Sequence, residues 1–221
     1  VLCTLWDKKN NEKSIDLYSK LNKILPEGKK DRFKFDFASK IFKEAVTNSS
    51  KIVYNAKGAD FALLGHSYSG AMNVVRNIIN TEYLWNQVRV KNGAYGAGCA
   101  MLRNGSIYAY SYRDPNTVKT FEAYNMTGNF LRQACGSIDI DKFILGAIND
   151  IDRPKSCSDK IETAALRYMQ KISQDMVQKS RDEILSAGSK DILLCADIFD
   201  DAMNNAASVT IGSKSIIENS G

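Results

Sequence analysis

Apolar residues recur along the chain with two periods, one typical of helices and the other of short strands. The helical period is clearest at 139–151, where six apolar residues fall on one face: Ile140, Phe143, Ile144, Ala147, Ile148 and Ile151. A helix is also predicted around 17–25, and Pro26 and Gly28 terminate it. Further helices are predicted over 69–79, 116–132, 159–173, 175–187 and 190–205, with a short one near 38–46.

Short apolar or alternating runs predict the strands. They are Val1–Trp6, Lys51–Ala56, Phe61–Leu64, Gly98–Leu102, Ser106–Tyr112 and Ala207–Ile211, the last followed by a short helical tail. Asn104-Gly105 between two of these runs is a strong signal for a β-hairpin. Asp114 and Pro115 predict the start of the next helix, with a capping carboxylate before a proline in the first helical position. This order predicts an α+β fold with a mixed, mostly antiparallel sheet packed against helices.

The chain ends with the pattern with which it begins, a short apolar strand followed by a polar helix start. We therefore predict that residues 1–45 are the closing strand and helix of a preceding homologous domain plus a connector. Residues 46–221 then form the C-terminal domain, closed by the strand and tail at 207–221. Because the chain starts without methionine inside an apolar run, we expect it to be part of a longer protein.

Composition and charge describe ordinary globular material with a basic segment. The 221 residues are 44% hydrophobic and 25% charged, with a net charge of +5. Residues 51–113 hold seven basic and two acidic residues, so this segment carries the excess. The cations are dispersed and no nucleic-acid motif accompanies them, so we expect no nucleic-acid partner. No apolar run approaches the ~18 residues of a membrane span, so no membrane partner is expected either.

Histidine and cysteine counts argue against catalysis or metal binding by this chain alone. Gly65 to Ser69, GHSYS, resembles the serine elbow G-x-S-x-G, but serine replaces the second glycine. The single histidine, His66, adjoins Ser67 and is poorly placed as its base, so we expect a loop residue. Zinc peptidase motifs need two histidines, and the five scattered cysteines contain no C-x-x-C pair. The cysteines are predicted to be buried free thiols, and no metal is expected here.

The glycines from Gly93 to Gly98 predict a tight turn and close strand packing rather than a phosphate loop. Their order is G-x-x-G-x-G, no Gly-Lys-Ser/Thr follows, and the segment leads into a strand instead of a helix. Downstream, Tyr112, Arg113 and Asp114 are expected to fix the corner between a strand and the next helix.

At LWNQVRVKNGAYGAGCA and SYRDPN the sequence resembles the C-terminal part of the presequence-protease and falcilysin branch of the pitrilysin/insulysin zinc peptidases. The likeness continues through FEAY, FLR, INDID and RDEILS, and so covers most of the chain. Asn92 stands where the family pattern has a second glycine. Family members consist of four related α/β units that close as two halves around a peptide-degrading chamber. Zinc lies in the first unit, on an H-x-x-E-H motif with a distal glutamate.

The resemblance implies that this chain is the fourth unit, preceded by the end of the third. That unit supplies an arginine and a tyrosine to the distant zinc centre, and these match Arg89 and Tyr95. A phenol can stabilise the oxyanion formed during attack on a peptide carbonyl, and a guanidinium can hold substrate carbonyl oxygens. Both residues, with Gly93, are therefore expected to bind substrate, and Arg89 and Tyr95 to be catalytic. Zinc would be bound by the full-length enzyme and not by this segment.

The predicted function is the zinc-free C-terminal domain of a zinc endopeptidase that degrades short unfolded peptides. It would close the chamber, with the N-terminal catalytic half and peptide substrates as partners, and be inactive alone. The alternative is a non-catalytic subunit of the same fold that binds a peptide or a partner, and a third possibility is a basic module for anionic partners. The location stays unknown; the resemblance suggests an organelle (mitochondrion, plastid or vacuole) or the cytoplasm.

Overall fold

The computed structural model describes residues 10–28 and 43–219. The described residues form two compact units, one of 10–28 and 153–174 and a larger one of 43–152 and 175–219. The smaller unit contains helix α1 (Asn11–Ile24) and helix α6 (Cys157–Met169). The predicted division at residue 45, with a preceding homologous domain, stays a prediction.

The larger unit combines a five-stranded sheet with helices. Its strands are β1 (Lys43–Asn48), β2 (Val53–Asp60), β3 (Gly96–Met101), β4 (Ser106–Asp114) and β5 (Ala207–Ser213). Its helices are α2 (Ala71–Ile78), a π-helix (Ile79–Lys91), α3 (Val118–Asn125), α4 (Thr127–Ala134), α5 (Asp141–Asp152), α7 (Gln174–Leu185), α8 (Ser189–Asn204) and α9 (Lys214–Glu218). No helix among the described residues is both long enough and apolar enough to cross a membrane.

The sheet has the order β1-β5-β2-β4-β3. Only β1 and β5 run parallel; the other three pairings are antiparallel. One face packs against α2, the π-helix, α3 and α8, and the hydrophobic core lies between these layers. The predicted α+β fold, with a mixed, mostly antiparallel sheet packed against helices, is confirmed.

The other face of the sheet carries exposed tyrosines. Along β4 the alternating pattern buries Ile107 and Ala109 while Tyr108 and Tyr110 stay partly exposed. Glycines on β3 leave room for these rings, since a Cβ on Gly98 would lie only 2.9 Å from the Tyr110 hydroxyl oxygen. The rings therefore spread over the neighbouring strand.

Two predicted elements are wrong among the described residues. Residues 43–46, predicted as the end of a short helix, belong to β1, because pairing with β5 outweighs local propensity. Residues 61–64, predicted as a strand, form a turn in which the Asp60 carboxylate accepts the backbone N–H of Ala62 at 2.9 Å. The strand predicted at Val1–Trp6 lies outside the described residues.

The remaining elements match in kind, with changed boundaries. The hairpin at Asn104-Gly105 is confirmed, and Gly105 has the positive φ of 96° that favours glycine. The helix predicted over 116–132 is two helices, and the first begins at Val118 rather than at Pro115. Asp114 does not cap it; this residue ends β4 with a buried side chain.

Candidate functional site

The π-helix positions the first candidate residue. It continues α2 without a break and buries Ile79, Tyr83, Leu84 and Val88 against the core. The guanidinium carbon of Arg89 lies 3.8 Å from the centroid of the Trp85 ring, a close cation–π contact. π-helices usually span a single turn and are frequent at functional sites. A π-helix of thirteen residues is therefore unusual and marks this segment as a candidate functional region.

A short glycine turn joins the π-helix to β3. Gly93 has a φ of +84°, a conformation that a side chain disfavours. Its N–H donates to the carbonyl of Arg89 at 3.0 Å, and the N–H of Ala94 donates to the carbonyl of Val88 at 3.1 Å. The turn thus brings Tyr95 back beside the end of the π-helix.

Tyr95 is held at its backbone N–H and at one edge of its ring, while the residue stays 58% exposed. Its N–H donates to the carbonyl of Arg113 at 3.2 Å, and its ring meets Tyr112 edge-on at 5.4 Å between centroids. Two guanidinium carbons lie near the same ring, that of Arg89 at 6.0 Å and that of Arg113 at 5.7 Å from the centroid.

All three residues predicted for the site, Arg89, Gly93 and Tyr95, line one open depression of about 570 Å³. Trp85, Val90, Ala94 and Arg113 complete its lining. The sequence prediction did not include Trp85 or Arg113 in the site. The spacing of Trp85, four residues before Arg89 on a helical segment, was a signal that could have identified it.

The site is cationic. Arg76, Arg132 and Arg181 each pair with a carboxylate, whereas no ion pair between described residues includes Arg89 or Arg113. Guanidinium groups donate several hydrogen bonds in a fixed plane and suit carbonyl or carboxylate oxygens. The depression can therefore accept an electron-rich group beside an exposed phenol.

Asn80 fastens the π-helix to the edge of the sheet. Its amide oxygen accepts the N–H of Cys99 at 2.7 Å, and its amide nitrogen donates to the carbonyl of Cys99 at 3.3 Å. The side chain thus replaces a neighbouring strand at this position of β3. It joins the π-helix, which carries Arg89, to the strand that follows Tyr95 directly.

A buried polar network supports the corner after β4. The carboxylate of Asp114, fully buried, accepts from Ser111 Oγ at 2.6 Å, Thr120 Oγ1 at 2.7 Å and Asn55 Nδ2 at 3.2 Å. Its second oxygen accepts the N–H of Asn116 at 2.8 Å. Asp114 therefore fixes this corner from inside the fold, although not as the predicted helix cap.

Neither His66 nor any of the four cysteines among the described residues lines this depression. His66 Nε2 lies 2.8 Å from a carboxylate oxygen of Asp201, and the described residues contain no group of three or more His, Cys, Asp or Glu placed to hold a metal. Burial raises the pKa of the Cys99 and Cys195 thiols to about 12. The predicted burial is confirmed for these two and wrong for Cys157, which is exposed.

Comparison with known proteins places the chain in context. The model of the PreP C-terminal domain family matches residues 43–214. Protein HypA of Clostridium perfringens is 33% identical over 190 residues, which are 86% of this chain and 19% of HypA. Presequence protease 1, chloroplastic/mitochondrial, of Arabidopsis thaliana is 31% identical over 181 residues, 79% of this chain and 16% of that protein. The chain thus spans less than a fifth of either relative.

Solved structures share the fold at low sequence identity. The peptidase M16 inactive domain from Pseudomonas fluorescens has a TM-score of 0.62 at 10% identity, covering 92% of this chain and 51% of that chain. Pitrilysin has a TM-score of 0.61 at 10% identity, covering 91% of this chain and 22% of that chain.

Proposed function

The chain belongs to the PreP C-terminal domain family of the pitrilysin-type peptidases, and on that premise we propose that it is the zinc-free C-terminal domain of a zinc endopeptidase. The enzyme would degrade short unfolded peptides. This domain would close the chamber against the N-terminal catalytic half and supply Arg89 and Tyr95 to the reaction. The observation that carries the proposal is that both side chains line one depression, although the π-helix ends and the chain turns between them.

The described residues do not fit a zinc ion themselves. The only histidine of the sequence, His66, is engaged by Asp201, and the described thiols are dispersed. Cys99 and Cys195 are further unsuited because burial raises their pKa and disfavours the thiolate that binds zinc. Zinc would therefore be held by another part of the full-length protein.

Tyr95 would act through its phenol hydroxyl. Attack on a peptide carbonyl converts its oxygen into an oxyanion, and a donor positioned at that oxygen stabilises the transition state more than the ground state. The ring is held by Tyr112 and by the backbone bond to Arg113, while most of it stays open to a ligand. This arrangement holds the ring from one side and leaves the phenol accessible to a substrate.

Arg89 would align the substrate. Its guanidinium lies on the Trp85 ring, which fixes its plane and leaves the N–H groups free to donate to carbonyl oxygens of the peptide. Gly93 adds backbone without a side chain, and a Cβ there would meet only the Pro115 ring, at 3.4 Å. A substrate backbone can approach closely at this point.

The test is Tyr95→Phe in the full-length protein that contains this chain. We expect kcat to fall by ~10² to 10³ with little change in thermal stability, because one oxyanion donor is lost and the packing is kept. Tyr108→Phe is the matched control, since that exposed phenol does not line the depression. Unchanged kcat in Tyr95→Phe would remove this residue from the mechanism.

The chain alone should show neither bound zinc nor peptide hydrolysis. Metal analysis and a peptidase assay on the 221-residue chain measure both. Stoichiometric zinc with turnover would refute the assignment. Peptide binding without turnover by the full-length protein would instead favour a non-catalytic binding subunit.

A further inference from the structure

Arg113 points to the site because of a β-bulge in β4. Val53 pairs with Asp114 and Asn55 pairs with Ser111, so two steps along β2 match three steps along β4. The extra residue breaks the alternation of the strand, and Tyr112 and Arg113 are both exposed before Asp114 turns inward. In a regular strand Arg113 would face the core. Bulges often occur next to functional sites, where they redirect a side chain.

The bulge places Arg113 in a backbone conformation that glycine would adopt more easily. Its φ is +49°, in the left-handed region that residues with a Cβ disfavour. The other non-glycine residue with positive φ among the described residues is Lys171, which lies just beyond the end of α6. Helices commonly end in such a residue, whereas a strand does not require one. An arginine at this position of β4 indicates that the side chain itself has a role.

The environment of Arg113 suits an anion. Its guanidinium lines the depression beside Tyr95, and no ion pair between described residues involves it. Arg89 adds a second cation to the same lining, while Trp85 and Val90 present exposed apolar surface. A ligand that combines a negative charge with an apolar group matches this surface.

We propose that Arg113 is a carboxylate-binding residue of the depression, which selects peptides that place a carboxylate next to the Arg89–Tyr95 pair. The proposal rests on the proposed function for the nature of the ligand, a peptide. The carboxylate is either the C-terminus of the peptide or an Asp or Glu side chain. A guanidinium can bind either one through two parallel N–H···O bonds.

Binding to the 221-residue chain tests this without any need for turnover. NMR titration would follow the Tyr95 amide and the arginine Nε–H signals with three N-acetylated tripeptides. Acetyl-Ala-Ala-Val with a free C-terminus tests the terminal carboxylate, acetyl-Ala-Glu-Val amide tests the side chain, and acetyl-Ala-Ala-Val amide is the uncharged reference. We expect at least one acidic peptide to bind about tenfold more tightly than the reference, and the one that does identifies the source.

Arg113→Gly is the decisive variant because glycine relieves the backbone strain. We expect its thermal midpoint to be equal to or above that of the wild type, while the preference for the acidic peptide is lost. Arg113→Lys keeps the charge but not the planar group and should retain part of the preference. Lys91→Gln is the control, since it removes an exposed cation nearby that does not line the depression.

Three results would overturn the proposal. One is an unaltered acidic preference in Arg113→Gly. A second is a wild type that binds all three peptides equally. The third is an equal loss of preference in Lys91→Gln and Arg113→Gly, which would indicate general charge attraction. If Arg113→Gly does not fold, Arg113→Gln answers the same question. The kinetic test of Tyr95 measures kcat in the full-length protein and does not depend on this result, so failure of this proposal can be told apart from failure of the proposed function.

Discussion

Asp114→Ala should destabilise the larger unit strongly, because it removes the acceptor at the centre of a buried network. The side chains of Asn55, Ser111 and Thr120 and the N–H of Asn116 all donate to this carboxylate. Asn55 keeps another acceptor in the carbonyl of Asn116 at 2.9 Å. The hydroxyls of Ser111 and Thr120 lose the acceptor that they have now.

The magnitude follows from the buried donors that lose their acceptor. Each such donor costs about 1 to 3 kcal/mol, so the two hydroxyls of Ser111 and Thr120 together put the loss at roughly 2 to 6 kcal/mol. Typical domains have only about 5 to 15 kcal/mol of stability, so this single change removes a large share. The loss includes the corner that supports Arg113 and Tyr95.

Urea unfolding followed by far-UV circular dichroism measures the effect, with Asp150→Ala as the matched control. Asp150 pairs with Arg76 at 3.3 Å, but its side chain is 62% exposed, so its loss should cost at most about 1 kcal/mol. We expect the Asp114→Ala midpoint to fall well below that of the control. Equal midpoints would refute the argument that this network holds the corner.

Three further predictions concern the hydrogen bonds of Asn80 and the cysteines. Asn80→Leu should lower the free energy of unfolding by about 2 kcal/mol and accelerate hydrogen exchange of the Cys99 amide, because that amide loses its acceptor. Asn86→Leu on the same helix should do neither, since the Asn86 side chain donates within the helix. Slow exchange of the Cys99 amide in Asn80→Leu would contradict the role of Asn80 in joining the π-helix to β3. A thiol reagent at pH 8 should label Cys157 quickly and spare Cys99 and Cys195 in the folded chain, and rapid labelling of the buried pair would contradict their burial. Burial raises the pKa of both buried thiols to about 12, whereas in the unfolded chain a thiol has a pKa of ~8.5. Between these two pH values the folded protein keeps the thiol protons that the unfolded chain loses. Their contribution to stability is complete below pH ~8.5 and is lost as the pH rises toward 12, so unfolding midpoints should fall across that range, and less so in Cys99→Ala.

The sequence predicted elements whose evidence lies within a short stretch of chain. Six apolar residues on one face identified α5, of which Phe143 and Ala147 are buried. Asn104-Gly105 identified the hairpin because its turn needs residues that accept a positive φ. These signals depend on neighbours in sequence, so they can be read without the fold.

Elements that depend on distant partners were not predictable in the same way. β1 is exposed along its whole length and exists as a strand through its pairing with β5, more than 150 residues away. The predicted helix stopped at residue 79, so the π-helix over Ile79–Lys91 was missed, and its geometry is recognisable only in three dimensions. Local sequence propensity contains neither the pairing of β1 with β5 nor the geometry of the π-helix.

The residues of the candidate site also differ in whether the sequence or only the structure identifies them. The sequence by itself predicted Arg89, Gly93 and Tyr95 as site residues, since the identities and spacing of those residues carry the family resemblance. Only the tertiary structure decided that Arg113 joins them. A single extra residue in β4 turns that side chain from the core to the surface, and a bulge of this kind is set by the register with β2, which the local pattern does not contain.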